Sequence, residues 1–308
     1  MTVFDFSFIN VIITIFLIIL AGIAINRVFH IDIKTLTKLQ FYLLMPSMLF
    51  VKIYESELSV SIVRTVIVFA VIVMFLVMTT SLLISKFRGY TQSETSVFVN
   101  TSTYFNAGNY SLPLMQLLFN DPLAISVQVI IMMVQNIIFF TIGIFTAGAG
   151  KRGPKKALMY VLKMPLIYVM IIAVIMKTSG IKIWNPIWDS MSIIADSYSG
   201  VALLTLGAQL AETKFNFKSK RLYLSNFIRL IVAPVIGFIV VSILGVTGMV
   251  ARVLVIAMGA PTAVNVVLSA IELDNEPKFA AQAVFTSTII SLLTISLVIF
   301  TVFQLIPA

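Results

Sequence analysis

The chain has 308 residues, of which 60% are hydrophobic and 11% are charged, and its net charge is +9. Soluble domains carry about 25% charged residues, so this composition predicts an all-α polytopic membrane protein rather than a soluble one. The basic residues cluster in short loops between apolar runs, which argues against nucleic acid as a partner, and the absence of cysteine excludes disulfides, thiolate metal sites and thiol catalysis.

Ten apolar runs predict membrane-spanning helices, since a span needs about 20 mostly apolar residues. The first run follows Asp5 and has no basic segment before it, so we expect it to remain as a span rather than to be cleaved. The second run is the weakest, because it is uncharged only between Lys38 and Lys52, which can extend to opposite surfaces. The predicted spans are residues 6–26, 35–53, 65–85, 95–119, 123–147, 157–177, 187–210, 222–245, 251–271 and 279–304.

The fourth span has a centre that is unusual for a continuous helix. It contains the sequence Asn106-Ala107-Gly108-Asn109, and Pro113 follows four residues later. Glycine weakens a helix and proline disfavours helical geometry in the residue before it. We predict a broken helix, with one half ending near Asn106 and a second starting near Pro113. The alternative is a kinked helix that only packs against its neighbours.

The ninth span has a similar interruption, with Gly259, Pro261 and Asn265 in a run without charge. The loop GAGKRGPKK, residues 148–156, separates five spans from five. Because five is odd, a second half with the same fold must enter the membrane from the opposite side. The pattern predicts two inverted five-helix repeats, residues 1–147 and 157–308, joined by a cytoplasmic linker at 148–156.

The distribution of lysine and arginine predicts the orientation. If the N-terminus is outside, 14 of these residues lie in inside loops and five in outside loops. Basic residues are retained on the cytoplasmic side. We therefore expect a multi-pass protein of the cell (inner) membrane with both termini outside.

The two broken spans predict a binding site for an anion. The second half-helices would begin near Pro113 and Pro261, and a helix N-terminus presents unpaired N–H groups and a partial positive charge. Neither span contains an acidic side chain, and Asn106, Asn109 and Asn265 add neutral donors and acceptors. A small carboxylate is the expected ligand. The alternative is that these amides only satisfy the loosened backbone.

Three other polar features of the spans leave alternatives open. Asp196 is either a proton-coupling residue within span 7 or an interfacial residue, if that span starts later. Arg229 in span 8 is interpreted as an interface charge in preference to a substrate clamp. The pair Gln135-Asn136 in span 5 is interpreted as helix–helix hydrogen bonding. Spans 4 and 9 contain no carboxylate, so no tight sodium or other metal site is expected.

Four segments resemble the auxin efflux carrier family: FYLLMPSMLF at 41–50, FNAGNYSLPL at 105–114, ALLTLGAQLA at 202–211 and APTAVNVVLSA at 260–270. They lie in spans 2, 4, 7 and 9, as the family places them. The resemblance implies ten spans in two inverted repeats, with broken helices 4 and 9 crossing, and a fold similar to bile-acid symporters and sodium/proton antiporters. It also implies scaffold helices 1, 2, 6 and 7 and transport-domain helices 3–5 and 8–10. The crossover prolines of the family correspond to Pro113 and Pro261, and its polar site residues to Asn106, Asn109 and Asn265.

Together these observations predict a secondary transporter that moves a small organic anion by alternating access at the helix 4/9 crossover. The predicted substrate-binding residues are Asn106, Gly108, Asn109, Pro113, Pro261 and Asn265. The alternatives are a passive anion channel and a membrane receptor that binds without transport. No enzyme activity and no cofactor are expected, since the spans offer no paired acids or Ser/His set. The expected partners are a small organic anion and membrane lipid, with a homodimer left open.

Overall fold

The computed structural model describes residues 7–56, 58–143, 165–212 and 219–307. Within these ranges the chain is helical throughout, apart from short connections and one isolated β-bridge. The predicted linker at 148–156 lies outside the described residues, as do parts of spans 5 and 6. The helices are α1 (Ser7–Phe29), α2 (Ile33–Leu39), α3 (Met45–Glu55), α4 (Val60–Phe87), α5 (Gln92–Thr103), α6 (Leu112–Phe119), α7 (Pro122–Ile138), α8 (Pro165–Thr178), α9 (Asn185–Asp196), α10 (Tyr198–Ala211), α11 (Lys220–Phe227), α12 (Ala233–Ile243), α13 (Gly248–Met258), α14 (Val264–Glu272) and α15 (Pro277–Leu305).

Six helical segments in the described ranges are long and apolar enough to cross a membrane. They correspond to predicted spans 1, 3, 5, 7, 8 and 10, so the prediction of an all-helical multi-pass membrane protein is confirmed. Spans 2, 4 and 9 consist of shorter helices, and span 6 is described from Pro165 onward. The six segments are Ile9–Phe29, Val60–Phe87, Pro122–Gly143, Asn185–Ala211, Lys220–Ile243 and Pro277–Leu305.

Both predicted interruptions are present. In span 4, α5 ends at Thr103, non-helical backbone follows to Asn106, and helical structure resumes as a π-helical turn before α6. In span 9, α13 ends at Met258 and α14 begins at Val264. Open backbone at membrane depth is stable only where protein or water satisfies its hydrogen bonds.

Three π-helical turns lie directly before a helix with proline at its second position. These turns are Gln40–Leu44 before Pro46, Ala107–Ser111 before Pro113, and Ile228–Val232 before Pro234. Proline lacks an N–H group and its ring crowds the carbonyl one turn earlier. A widened π-turn relieves that clash without ending the helix, and it rotates the side chains of the turn to new positions.

The chain divides into two compact units, with boundaries after residues 60, 107 and 129 and in the partly described connections near 163 and 212. The first compact unit contains α1–α3, α6, the first part of α7 and α8–α10. Its tightest packing lies between α1 and α10, where Gly22 and Gly207 allow the two backbones to touch. A Cβ atom on Gly207 would lie 2.1 Å from the carbonyl oxygen of Ile19.

The second compact unit contains α4, α5, the rest of α7 and α11–α15. The start of α5, the start of α11 and the α14–α15 connection meet at Arg221, whose guanidinium pairs with Glu94 and Glu276 and lies 4.2 Å from the ring centroid of Phe279. Asn275 in the same connection donates to Ser96 in α5. The open backbone at 104–106 and at 259–263, with the preceding half-helices α5 and α13, belongs to this unit, and the chain passes to the first unit at Gly108.

Candidate functional site

The two interruptions pair directly with each other within the second compact unit. Phe105 and Thr262 form an antiparallel β-bridge, in which the Asn106 N–H donates to the Pro261 carbonyl at 2.7 Å and the Ala263 N–H donates to the Tyr104 carbonyl at 3.0 Å. Each break therefore satisfies backbone groups of the other in a region that offers no bulk water.

Gln135 of α7 completes the hydrogen bonding of the first break. Its amide group bonds both backbone groups of Phe105, accepting from the N–H at 3.1 Å and donating to the carbonyl at 2.8 Å. Gln135 is 4% exposed, so both bonds are shielded from water. The predicted role of this residue in hydrogen bonding is confirmed, but its partner is the open backbone of the break rather than a regular helix.

Thr262 ties the second break to two further helices. Its hydroxyl donates to the Thr101 carbonyl in the last turn of α5 at 2.9 Å. Its backbone N–H donates to the hydroxyl of Ser287 in α15 at 3.0 Å. The last four carbonyls of a helix lack intrahelical partners, and the Thr262 hydroxyl is a partner for one of these carbonyls in α5.

Arg229 donates hydrogen bonds to carbonyls at the C-terminal ends of both first half-helices, α5 and α13. Its Nη1 atom lies 2.7 Å from the Thr103 carbonyl oxygen and 3.4 Å from that of Ser102, and its Nη2 atom lies 2.5 Å from that of Met258. The side chain is 1% exposed, so the prediction of a snorkelling interface charge is wrong. The π-turn Ile228–Val232 carries Arg229 and presents it to the interior of the unit instead of to the membrane surface.

No carboxylate among the described residues pairs with the guanidinium of Arg229. Among the described residues, its polar partners are the three carbonyl oxygens, and the ring centroid of Phe105 lies 5.3 Å from Cζ. Carbonyl dipoles and an aromatic face stabilise the charge. The predicted spans 4 and 9 contain no acidic residue, so within the described residues the partial negative charges of two helix C-termini, and no carboxylate, balance the guanidinium.

The family comparison is consistent with this pair of broken spans. A family model described as "Membrane transport protein" matches residues 6–299. The chain belongs to the membrane transport protein family. This is a family of transporters and not of enzymes, and it confirms the resemblance to auxin efflux carriers.

The curated relatives align with about half of this chain. It is 28% identical over 159 residues to a protein named "Uncharacterized transporter YfdV" in Escherichia coli strain K12, with 48% of this chain and 49% of the relative covered. The same identity and coverage are found for the proteins of that name in Escherichia coli O157:H7 and Shigella flexneri. The chain therefore spans about half the length of the curated relatives that it matches.

The predicted site residues lie in different settings. In the second compact unit, Asn106 is buried in the first break, and Asn265 is exposed in the first turn of α14. The second half-helix, predicted to begin near Pro261, begins three residues later at Val264. Pro261 itself lies in the extended break, where its carbonyl accepts the bond from the Asn106 N–H.

The other predicted residues of the first interruption belong to the first compact unit. Gly108 and Asn109 are half-buried in the π-turn, and Pro113 is buried at the second position of α6. Helical structure therefore resumes about one and a half turns before Pro113, earlier than the sequence indicated, because the π-turn accommodates the proline inside the helix.

Asp196 lies at the C-terminal end of α9, next to the short joint that leads into α10, and its side chain is exposed. Within the described residues, no group of three or more His, Cys, Asp or Glu side chains is placed to hold a metal ion. The polar chemistry at the paired breaks is thus that of amides, hydroxyls, backbone groups and one guanidinium.

Sequence reasoning missed the roles of Arg229 and Thr262. A buried arginine in a span is a functional candidate by default, and the proline five residues later could have indicated a disturbed helix around Arg229. Little in the sequence indicated the role of Thr262, because threonine often follows proline in loops.

Proposed function

We propose that the protein is a secondary transporter that moves a small organic anion bearing a carboxylate, by alternating access at the crossover of spans 4 and 9. The proposed substrate-binding residues are those predicted from the sequence: Asn106, Gly108, Asn109, Pro113, Pro261 and Asn265. Membership of the membrane transport protein family supports transport of a small molecule, and the specific substrate class rests on the chemistry of the paired breaks.

One observation carries the proposal: the two interrupted spans meet at their breaks, and a buried guanidinium is held beside them. The pairing of Asn106 with Pro261 brings together two predicted spans with opened backbone. Arg229 contributes a buried guanidinium without a carboxylate among its partners in the described structure. The first turn of α14 has no side-chain cap, so its N–H groups and Asn265 are suited to accept an anionic group.

We further propose that spans 1, 2, 6 and 7 form a scaffold and that spans 3–5 and 8–10 form the moving domain, arranged as two inverted repeats. The grouping of α1–α3 and α8–α10 in one compact unit, and of α4, α5 and α11–α15 in the other, supports this assignment, whereas α6 and the first part of α7 are grouped with the first set. The protein is multi-pass, and its bacterial relatives favour the cell membrane as its location. The positive-inside distribution supports termini on the outside.

For coupling, we propose that the anion moves without a tightly bound sodium ion and that Asp196 carries a proton if one is transported. Carbonyl and amide groups line the breaks, and hard cations bind best where carboxylates contribute. In proteoliposomes, uptake should be unchanged when an imposed sodium gradient is removed. Asp196→Asn should flatten the pH dependence of uptake. A requirement for the sodium gradient would refute the first statement, and an unaltered pH profile would refute the second.

The experiment that tests the function is binding and uptake by the purified protein. A thermal-shift screen against carboxylates, amino acids and indoles identifies a ligand, and uptake of that ligand is then measured in vesicles. Substituting Asn106, Asn109 or Asn265 with alanine should weaken affinity about tenfold or more, because each lost hydrogen bond to a charged group is worth about 1.5–3 kcal/mol.

The same vesicles distinguish a carrier from its alternatives. A carrier should show saturable uptake that unlabelled substrate on the opposite side accelerates, a channel should show neither property, and a receptor should bind without flux. If all three asparagine variants bind and transport like wild type, the crossover does not hold the substrate.

A further inference from the structure

We propose that Arg229 is a tethered cation: its guanidinium fills a carbonyl cage at the paired breaks that, without it, would bind a free monovalent cation. The cage consists of the carbonyl oxygens of Ser102, Thr103 and Met258. All three lie in the second compact unit, at the C-terminal ends of α5 and α13.

The ends of two helices create the need for a cation. Each helix C-terminus carries about half a negative charge on carbonyls that lack intrahelical partners. Here two such ends converge on one point, because Nη1 of Arg229 reaches α5 while Nη2 reaches α13. In membrane proteins, the C-terminal ends of broken half-helices are groups that coordinate monovalent cations.

Burial, an aromatic contact and hydrogen bonds of neighbouring residues hold the guanidinium in position. Arg229 is 1% exposed, and the ring of Phe105, which lies in the first break, faces it at 5.3 Å. Two residues of α11, the helix that leads into the π-turn of Arg229, bond to neighbouring helices. The hydroxyl of Ser225 lies 2.8 Å from that of Thr101 in α5, and Asn226 donates to Thr286 in α15 at 2.7 Å. These contacts fix the position of the charge relative to both helix ends.

The consequence is that the paired breaks hold one permanent positive charge without taking up an ion. A bound inorganic cation can leave the site, whereas Arg229 stays attached to the chain. Because Arg229 balances the two helix ends permanently, the crossover needs no free cation at this position during transport of an anion. This consequence for transport rests on the proposed function, but the carbonyl cage and its preference for a cation do not.

The test removes the tethered charge and supplies a free one. Full-length Arg229→Ala, Arg229→Lys and Arg229→Gln proteins are purified, and their melting temperatures are measured in low millimolar guanidinium, sodium or potassium chloride, with choline chloride keeping the ionic strength constant. In choline, Arg229→Ala should melt about 5 °C or more below wild type, because two helix ends lose their partner. Guanidinium, and more weakly the alkali cations, should restore part of this loss with a saturable dose dependence. Wild type should show no such dependence.

Arg252 provides a matched control within the same unit. Its guanidinium also donates to a backbone carbonyl, that of Ile306 at 3.0 Å, and lies 4.6 Å from the ring of Phe303, but it is only partly buried. Arg252→Ala should lose less stability than Arg229→Ala and should gain none from guanidinium. Equal rescue of both variants would mean a general solvent effect and would overturn the proposal.

The remaining outcomes also decide the matter. If Arg229→Ala folds and no small cation stabilises it more than choline does, the cage does not bind cations and the proposal is wrong. If Arg229→Ala cannot be purified, Arg229→Lys and Arg229→Gln decide: a higher melting temperature for the lysine variant supports a need for charge, and equal values overturn it. A wild-type protein that fails to transport any ligand would refute the proposed function while leaving this stability measurement intact.

Discussion

The substitution Gln135→Met tests whether the first break depends on a side chain from another helix. Methionine has nearly the same length and volume as glutamine but cannot form the two hydrogen bonds to Phe105. The Phe105 carbonyl keeps a bond from the Ala107 N–H at 2.8 Å, whereas its own N–H loses the partner that Gln135 provides. One unpaired buried donor costs about 1–3 kcal/mol and one lost bond about 0.5–1.5 kcal/mol, so we expect a loss of about 2–4 kcal/mol.

The assay is thermal unfolding of the purified protein in detergent, with uptake measured in parallel. Gln116→Met is the control, since Gln116 accepts one bond from the Ser199 hydroxyl at 2.6 Å, and that partly buried hydroxyl can turn to a backbone carbonyl at the end of the preceding helix. The control should lose about 1 kcal/mol or less. If Gln135→Met melts at the temperature of the control, the break is stable without Gln135, and the proposed dependence of the Phe105 backbone on this side chain is refuted.

Three further predictions follow from the breaks, the helix packing and the charge distribution. Pro261→Ala should express normally but transport poorly, because alanine lets a helix close across the second break. Pro113→Ala should have the same effect for another reason, because alanine removes the need for the π-turn Ala107–Ser111, and loss of that turn would move Gly108 and Asn109; uptake at wild-type rates would contradict either statement. Gly207→Ala should destabilise the protein by about 1–3 kcal/mol through its clash with α1, while Gly200→Ala in the same helix, where a Cβ would meet no atom within 4 Å, should be neutral or stabilising, as thermal unfolding would show. A cysteine introduced by Gly153→Cys should be labelled by a membrane-impermeant thiol reagent only after cell lysis, and labelling in intact cells would reverse the orientation.

The existence of both interruptions was predictable, because residues that disturb a helix are visible in the local sequence. In span 9, Gly259 and Pro261 lie at the break and weaken a helix by their own backbone properties. In span 4, Gly108 and Pro113 indicated a disturbed helix, but the open backbone at 104–106 lies before both of them. The detail was less accurate. A π-turn lets the helix continue through Pro113, so helical structure resumes at Ala107, and such turns leave no clear pattern in a single sequence.

The partners of the broken backbone could not be predicted, because they come from helices far away in the sequence. Gln135 lies 30 residues from Phe105, and Arg229 lies 126 residues from Thr103. Arginine near the end of an apolar run is compatible with snorkelling, and the sequence alone favoured that interpretation. Only the packed structure shows that the side chain turns inward to two helix ends.

The way in which the breaks are satisfied bears on where specificity can arise. The bridge between Asn106 and Pro261 is held from α7 by Gln135, from α15 by Ser287 and from the turn after α11 by Arg229. A backbone fixed by three separate elements of one compact unit cannot adapt to different ligands without losing several buried hydrogen bonds together. Related transporters with this arrangement should therefore differ in substrate through side chains at the breaks, such as those at positions 106 and 265, while the backbone geometry stays the same. Exchanging Asn265 for the residue of a relative with another substrate should then shift ligand preference with little change in melting temperature, and a large loss of stability would contradict a rigid crossover.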